Sequence, residues 1–435
     1  MKLITQLFYR LTVTREKRVL LENFFSLSFL QIANYLFPLF SFPYLVRVLG
    51  PEKFGLIAFA TALMGYFNIL VDYGFNLSAT KDIAINKADK RKISIIFNSV
   101  MIIKLSLVVL SFIILSGLVI FVQIFRSERL LYIYSFVCVI GTALFPTWFF
   151  QGIEKMKYIT VLSLLSKMIF TVLIFGFVKK PDDYLFVPLI NSIGLLITGI
   201  WSIYIVNSSF NIKFLLPRYN DLFDQVKEGF YVFVSTMSIS FYTTSNVFLL
   251  GLFTNNVITG YYAAAERIIR ILQQMIVPVT QSVYPHINTL FLASKQSGLR
   301  FLKKLVLLIG LPLIIICSIV FCLSPFLVHL ILGVKYQASI GVLRILSFIP
   351  FVVFISQAFG SQLLIPLGFK KIFSYSIVFP AIFHMSALII YVPKFGAVGA
   401  AIIVLITEIV IATSRMLSIR IFHKEVWKGL LYAAE

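Results

Sequence analysis

Two arginines, two glutamines and an asparagine recur through residues 267–288 at helical spacing: Arg267, Arg270, Gln274, Gln281 and Asn288, interleaved with Pro278 and Pro285. At 3.6 residues per turn they share one stripe about 80° wide. Arginine stays charged and presents two parallel donors to an oxyanion, so the stripe is suited to anion binding. Glu266 lies at its edge, four residues before Arg270, which is ion-pair spacing on a helix. A second stripe runs through Ala58, Thr61, Gly65, Asn68, Asp72 and Asn76. Helix packing accounts for isolated Ser or Thr residues in an apolar run, but not for two arginines on the face of two glutamines.

These residues sit inside long apolar runs, and the composition says what the runs are. Of the 435 residues 60% are hydrophobic and 13% charged, against about 25% charged in soluble domains, so the chain is an all-α polytopic membrane protein. Apolar runs lie near 20–46, 55–78, 93–121, 130–150, 159–178, 184–206, 229–251, 259–292, 305–332, 338–366, 372–392 and 396–418. Each can cross about 30 Å of hydrocarbon, which predicts twelve transmembrane helices. The first run is too long for a signal-peptide core and is read as a span. Cys138, Cys317 and Cys322 fall inside apolar runs without paired or metal-like spacing and read as small hydrophobes.

The net charge of +21 is compatible with nucleic acid until the charges are placed. With the N-terminus inside, 24 of the 38 Lys and Arg residues fall in loops on the inner side and eight in loops on the outer side. That bias over short loops predicts cytoplasmic N- and C-termini and accounts for the basic excess without nucleic acid. The remaining six, Lys104, Lys167, Arg267, Arg270, Arg344 and Arg415, lie within predicted spans together with Asp72, Glu266 and Glu408. Facing lipid, these nine charges would cost on the order of 25 kcal/mol, so they are expected to face protein or a wet cavity. For Lys104, Lys167 and Arg415 the alternative is snorkelling from a span end.

Spans one to six and seven to twelve begin on the same side. The chain therefore reads as an N-terminal six-helix lobe (1–206), a cytoplasmic linker (207–228) and a C-terminal six-helix lobe (229–435). Leu49-Gly50 before Gly55 and Ala58 is echoed by Leu250-Gly251 before Gly260 and Ala263. Two parallel halves related by an axis along the membrane normal form a transporter architecture.

FPYLVRVLGPEKFGL (42–56) and VDYGFNLSATKDIA (71–84) resemble the opening signature of the lipid-linked O-antigen repeat-unit flippases. These belong to the multidrug/oligosaccharidyl-lipid/polysaccharide exporter superfamily. WFFQGIEKMKY (148–158), LGVKYQASIGVLRILSFIPF (332–351) and KFGAVGAAI (394–402) extend the resemblance over nearly the whole chain. The resemblance implies a MATE-like fold of two lobes around a central cationic cavity in a bacterial inner membrane. It also implies a substrate of undecaprenyl diphosphate bearing a short sugar chain, carried by alternating access. The related lipid II flippases have two further C-terminal helices and arginines in their first helix, whereas the first span here offers Asn23, Gln31 and Asn34.

On that reading Arg267, Arg270, Lys104, Lys167, Arg344 and Arg415 give the diphosphate charge-assisted hydrogen bonds, and Gln274, Gln281, Asn68 and Asn34 meet the sugars. The expected partners are the lipid-linked oligosaccharide, membrane lipids, the O-antigen polymerase and a chain-length regulator. No cofactor is expected, because no Gly-rich phosphate loop is present. Net export then draws on H+ or another cation, or on consumption of the product. Asp72 and Glu408 are the coupling candidates ahead of Glu266, whose pairing with Arg270 holds it ionised. The structural alternatives are that Asp72 fixes the start of the DYGF bend and that Glu408 pairs with Arg415 on the same face.

Two other functions compete. A polyprenyl-linked sugar polymerase or glycosyltransferase would need a long extracytoplasmic loop, and none exceeds about eight residues; Asp182-Asp183 in KKPDD reads as a solvated turn rather than a metal site. A cation-coupled drug exporter would need an acidic cavity, and this one is basic. The loop bias is tested by cysteine labelling: Asn255→Cys should react with an impermeant thiol reagent from outside the cell, and labelling only from the cytoplasmic side would break the twelve-span arrangement.

Overall fold

The longest helices each hide a break, and both breaks are glycines. In the computed structural model, which describes residues 15–427, helix α1 (Arg15–Asp72) is interrupted at Gly50 with φ 71° and ψ 173°. The last helix, Lys370–Phe422, is interrupted at Gly396 with φ 53° and ψ −136°. A side chain at either φ would strain the backbone, so glycine is what allows a chain leaving one span to re-enter the membrane almost at once.

Between them run α2 (Lys90–Phe121), α3 (Arg129–Leu144), α4 (Met156–Phe177), α5 (Phe186–Phe210), α6 (Tyr219–Thr243) and α7 (Ser245–Phe253). There follow α8 (Asn256–Ala293), α9 (Lys295–Cys322), α10 (Ser339–Leu346), α11 (Ile349–Phe359) and, as α12, Lys370–Phe422. The described residues contain helices and turns and no strand. Among the described residues eight helical stretches are long and apolar enough to cross a membrane. Dividing two of them at Gly50 and Gly396 gives ten, and α6–α7 and α8 supply the other two stretches, in line with twelve. Those last two fall short on apolarity because α8 carries Glu266, Arg267 and Arg270 and α6 opens with charged residues.

The helices form two compact units. The first comprises the described residues up to Leu49 with Ala60–Ser240; the second comprises Gly50–Phe59 with the described residues from Phe241 onward. Nearly all of α6 therefore packs with the first unit, and the first ten residues after the Gly50 break pack with the second. The segment 207–228, expected as a linker, is helical from Tyr219.

In the first unit, Phe75, Ala79, Ile83, Phe97, Trp148, Phe149 and Phe150 form a core with Leu162 and Val206. Trp148, Phe149 and Phe150 are fully buried, so the WFFQG motif is a packing element. α3 and α5 approach through glycine: a Cβ on Gly199 would stand 2.7 Å from the Gly141 carbonyl oxygen. The DYGF bend takes the left-handed region at Tyr73 (φ 46°) and Gly74 (φ 81°). It docks on α6, with the Tyr73 ring stacked on Phe233 at 4.9 Å and a Cβ on Gly229 only 2.9 Å from the Tyr73 carbonyl.

In the second unit the closest approach joins the helix after Gly50 to α8. A Cβ on Gly55 would overlap the Asn256 carbonyl, and one on Gly260 would overlap the Pro51 carbonyl. The two glycines of the sequence echo thus meet each other. Gly260→Ala should lower stability by about 1–3 kcal/mol as the backbones are forced apart, read as a drop in unfolding temperature of the purified protein. Gly117→Ala, which adds a methyl where nothing lies within 4 Å, should leave it unchanged.

Candidate functional site

Each ionisable group inside the membrane has a different solution to the cost of leaving water. In the first unit Lys104, 3% exposed, reaches across 32 residues to Asp72 with Nζ 3.1 Å from Oδ1. The other Asp72 oxygen accepts a short hydrogen bond from the Asn76 amide, whose Oδ1 in turn accepts from Thr147 Oγ1 at 3.0 Å. This chain of partners holds the start of the DYGF bend, so Asp72 is the half-buried partner of a buried lysine. Nothing in sequence spacing joins Lys104 to Asp72. Nearby in the same unit, Asn68 accepts from Thr142 Oγ1 at 2.5 Å. Lys167 is half-buried on α4.

In the second unit Arg415 is 5% exposed. Its Nη1 donates to the Ser356 carbonyl and hydroxyl at 2.7 and 2.8 Å, its Nε donates to Ser376 Oγ at 3.0 Å, and its guanidinium lies 4.7 Å from the Phe373 ring centre. A Cβ on Gly360 would collide with the guanidinium, so α11 ends in a glycine where the arginine needs room. Glu408 lines the cavity described below, while Arg415 donates to Ser356 and Ser376. Arg344 is exposed on α10, with Nε 3.0 Å from Ser324 Oγ and its guanidinium over Phe321.

Arg270 stands apart from these. Its Nη2 donates to Glu266 Oε1 at 3.0 Å and to the Thr243 carbonyl at 3.1 Å, yet its side chain remains 44% exposed. The pair lines a cavity of about 350 Å3 enclosed by α7, α8, α10, α11 and α12. Polar groups from four elements converge there: Glu266, Gln273 and Gln274 from α8, Asn246 from α7, Gln357 from α11, and His384, Thr407 and Glu408 from α12. The apolar wall includes Ile269, Val353, Phe354 and Val404. His384 is fully buried and its two ring nitrogens meet Thr407 Oγ1 at 2.9 Å and Asn246 Oδ1 at 3.0 Å, which ties α12 to α7 across the cavity floor. Arg267, one residue along α8 from Glu266, is exposed and is not in the lining.

Of the residues singled out from the sequence, the structure therefore brings Arg270, Glu266, Gln274 and Glu408 to one cavity. Lys104, Asn68 and Asp72 form contacts within the first unit, and Arg344 and Arg415 are held elsewhere in the second. The side chains of Asn34 and Gln281 lie outside the described residues. Sequence reasoning missed Gln273, Gln357, His384 and Thr407. Gln273 follows Arg270 at helical spacing and could have been found; Gln357 and His384 are single polar residues in apolar runs with no periodic companion.

The lining sets one arginine against two carboxylates, Glu266 and Glu408, so this cavity is not the basic one expected from the sequence, because Lys104, Arg344 and Arg415 are held elsewhere; Arg270 still offers charge-assisted hydrogen bonds to an oxyanion, and the glutamines offer amide donors and acceptors to hydroxyls. The Asp183 carboxylate in the KKPDD turn accepts from the backbone N–H groups of Lys179 and Lys180 at 2.9 and 3.0 Å, which is the geometry of a turn.

A family profile described as "Polysaccharide biosynthesis protein" matches residues 20–291. The chain is 33% identical over 405 residues to a candidate O-antigen transporter of Escherichia coli (strain K12), covering 93% of this chain and 97% of that protein. Among solved structures, an inward-facing MATE family transporter of the MOP superfamily matches with a TM-score of 0.66 at 17% identity, over 90% of this chain and 96% of the other. The lipid II flippase MurJ matches with a TM-score of 0.61 at 14% identity, over 95% and 90%. At these identities the two structures establish the fold, which is MATE-like.

The ion pair of the first unit generates a test. Lys104→Met leaves the half-buried Asp72 carboxylate with Asn76 alone and should destabilise by about 1–3 kcal/mol. Adding Asp72→Asn to it should restore much of the loss, measured as unfolding midpoints of the two variants beside wild type.

Proposed function

The chain belongs to the polysaccharide biosynthesis protein family, and we propose that it is a transporter that flips undecaprenyl-diphosphate-linked sugar repeat units, of the O-antigen type, across the bacterial inner membrane. Arg270 carries this reading. It is a partly exposed cation in the lining of the cavity, pinned by Glu266 and the Thr243 carbonyl, with Glu408 and the amides of Gln273, Gln274 and Gln357 in the same lining. A charge paired on one side only retains donors for a phosphate, and its fixed fork costs little to orient. Arg267, exposed on the same helix face, adds a second guanidinium one turn away. Gln273, Gln274 and Gln357 supply donors and acceptors to sugar hydroxyls.

Movement of the head group follows from the same electrostatics. A diphosphate crossing hydrocarbon unaided leaves its charge without partners, while a wet cavity lined by arginine and amide groups replaces part of its hydration. The polyprenyl tail needs no such path and stays in lipid. We place the substrate's entry on the cytoplasmic side, in keeping with the distribution of Lys and Arg over the loops. Glu408 reaches the same cavity, so a proton or other cation bound there would be exchanged in view of the substrate. Asp72, committed to Lys104, is the weaker coupling candidate.

Replacing both Arg267 and Arg270 by alanine should leave insertion and abundance normal and remove surface glycan, with lipid-linked repeat units retained in the cytoplasmic leaflet. Lysine at position 270 should restore part of the export, since it keeps charge and loses the paired donors. Undiminished surface glycan in the double alanine variant would sink the proposal. Glu408→Gln should abolish the response of transport in proteoliposomes to an imposed pH gradient while substrate binding persists, and a wild-type response would remove Glu408 from coupling.

A further inference from the structure

Tyr262, Glu266 and Arg270 follow one another at four-residue intervals on α8, so each lies about one turn from the next on a single face. All three line the cavity. Glu266, whose side chain is 15% exposed, is joined to Arg270 one turn later. Tyr262, one turn earlier, is fully buried, and its hydroxyl stands near the Glu266 carboxylate. The hydroxyl nevertheless makes no hydrogen bond. A buried hydroxyl without a partner is a cost to the fold, and phenylalanine would fill the same space without it. The donor is useful only in another state of the cavity.

The donors of Arg270 supply that state. A guanidinium presents paired donors along two edges, Nε with Nη2 and Nη1 with Nη2, so Nη2 belongs to both. Its two N–H groups are already spent, on Glu266 Oε1 at 3.0 Å and on the Thr243 carbonyl at 3.1 Å. An oxyanion can take single bonds from Nε or Nη1, but a two-bond grip requires Nη2 to give up a partner. Of the two partners the carboxylate is the one an anion repels, because the carbonyl carries no net charge. Glu266, once released, is a largely buried carboxylate short of a donor, which is costly unless another donor is within reach. Tyr262 holds that donor. We propose that Tyr262 is the exchange partner of Glu266: when Arg270 closes on an oxyanion with two bonds, the Tyr262 hydroxyl donates to the released carboxylate. Tyr262 is thus a positioning residue, acting on the ligand through Glu266 and Arg270. The inference rests on the reading of Arg270 as the group that receives the substrate's phosphate.

Undecaprenyl diphosphate is titrated in detergent solution into wild type, Tyr262→Phe, Glu266→Gln, the double variant of the two and Arg270→Ala, with unfolding temperatures measured alongside. Tyr262→Phe should bind about tenfold more weakly, as expected for one lost hydrogen bond to a charged group. Its unfolding temperature should equal or exceed that of wild type, because the hydroxyl removed had no partner. A tyrosine that only packs would not separate affinity from stability in this way. With Glu266→Gln the released group carries no charge, so adding Tyr262→Phe should leave affinity unchanged. A lower unfolding temperature for Tyr262→Phe, or an equal loss of affinity in the Glu266→Gln background, would overturn the exchange. Wild-type affinity in Tyr262→Phe beside weak binding by Arg270→Ala would overturn the exchange alone, whereas undiminished binding by Arg270→Ala would overturn it together with the reading of Arg270.

Discussion

A charge surrounded by hydrocarbon must find a partner or leave, and that constraint organises this molecule. Lys104 meets it with a carboxylate on another helix. Arg415 meets it with hydroxyls, a carbonyl and an aromatic face. Arg270 meets it by half, through Glu266 and one carbonyl, and turns the remainder toward a cavity. The first two cations lock helices together. The third also lines the cavity, with its side chain 44% exposed.

The motifs by which the chain is recognised are mainly devices for helix contact. Gly50 permits the break, Gly55 and Gly260 let two backbones touch, and the Tyr73–Gly74 bend seats α1 against α6. Trp148, Phe149 and Phe150 fill the core of the first unit. Inside a membrane helices gain little from burying apolar side chains, since lipid is equally apolar. Close backbone approach and buried hydrogen bonds take over that role, and both depend on particular small or polar residues. Such residues identify the fold and say little about the cargo.

The cavity residues behave differently. Gln273, Gln274, Gln357 and Glu408 come from three separate helices and make no motif in the chain. His384 links α12 to α7 and sets the floor on which Glu408 and Thr407 stand. α8 gives one of its faces to the cavity, and its two internal prolines, Pro278 and Pro285, remove the intrahelical donors of two of its carbonyls.

By itself the sequence determined the class, the helical architecture and the polar stripe of α8. These depend on composition and on 3.6-residue periodicity, both of which are local properties. The Glu266–Arg270 pair was legible for the same reason, being four residues apart on one helix. Pairing between helices was not: Lys104 meets Asp72 across 32 residues and Arg415 meets Ser356 across 59. A single helix offers six basic and three acidic positions no instruction about which neighbour will face them. Only the packing of the helices decided that Lys104 pairs with Asp72 and Arg415 with Ser356 and Ser376, that Arg270 and Glu408 share a cavity, and that Gln357 and His384 join them, because side-chain partners are set by which faces are pressed together and not by spacing along the chain.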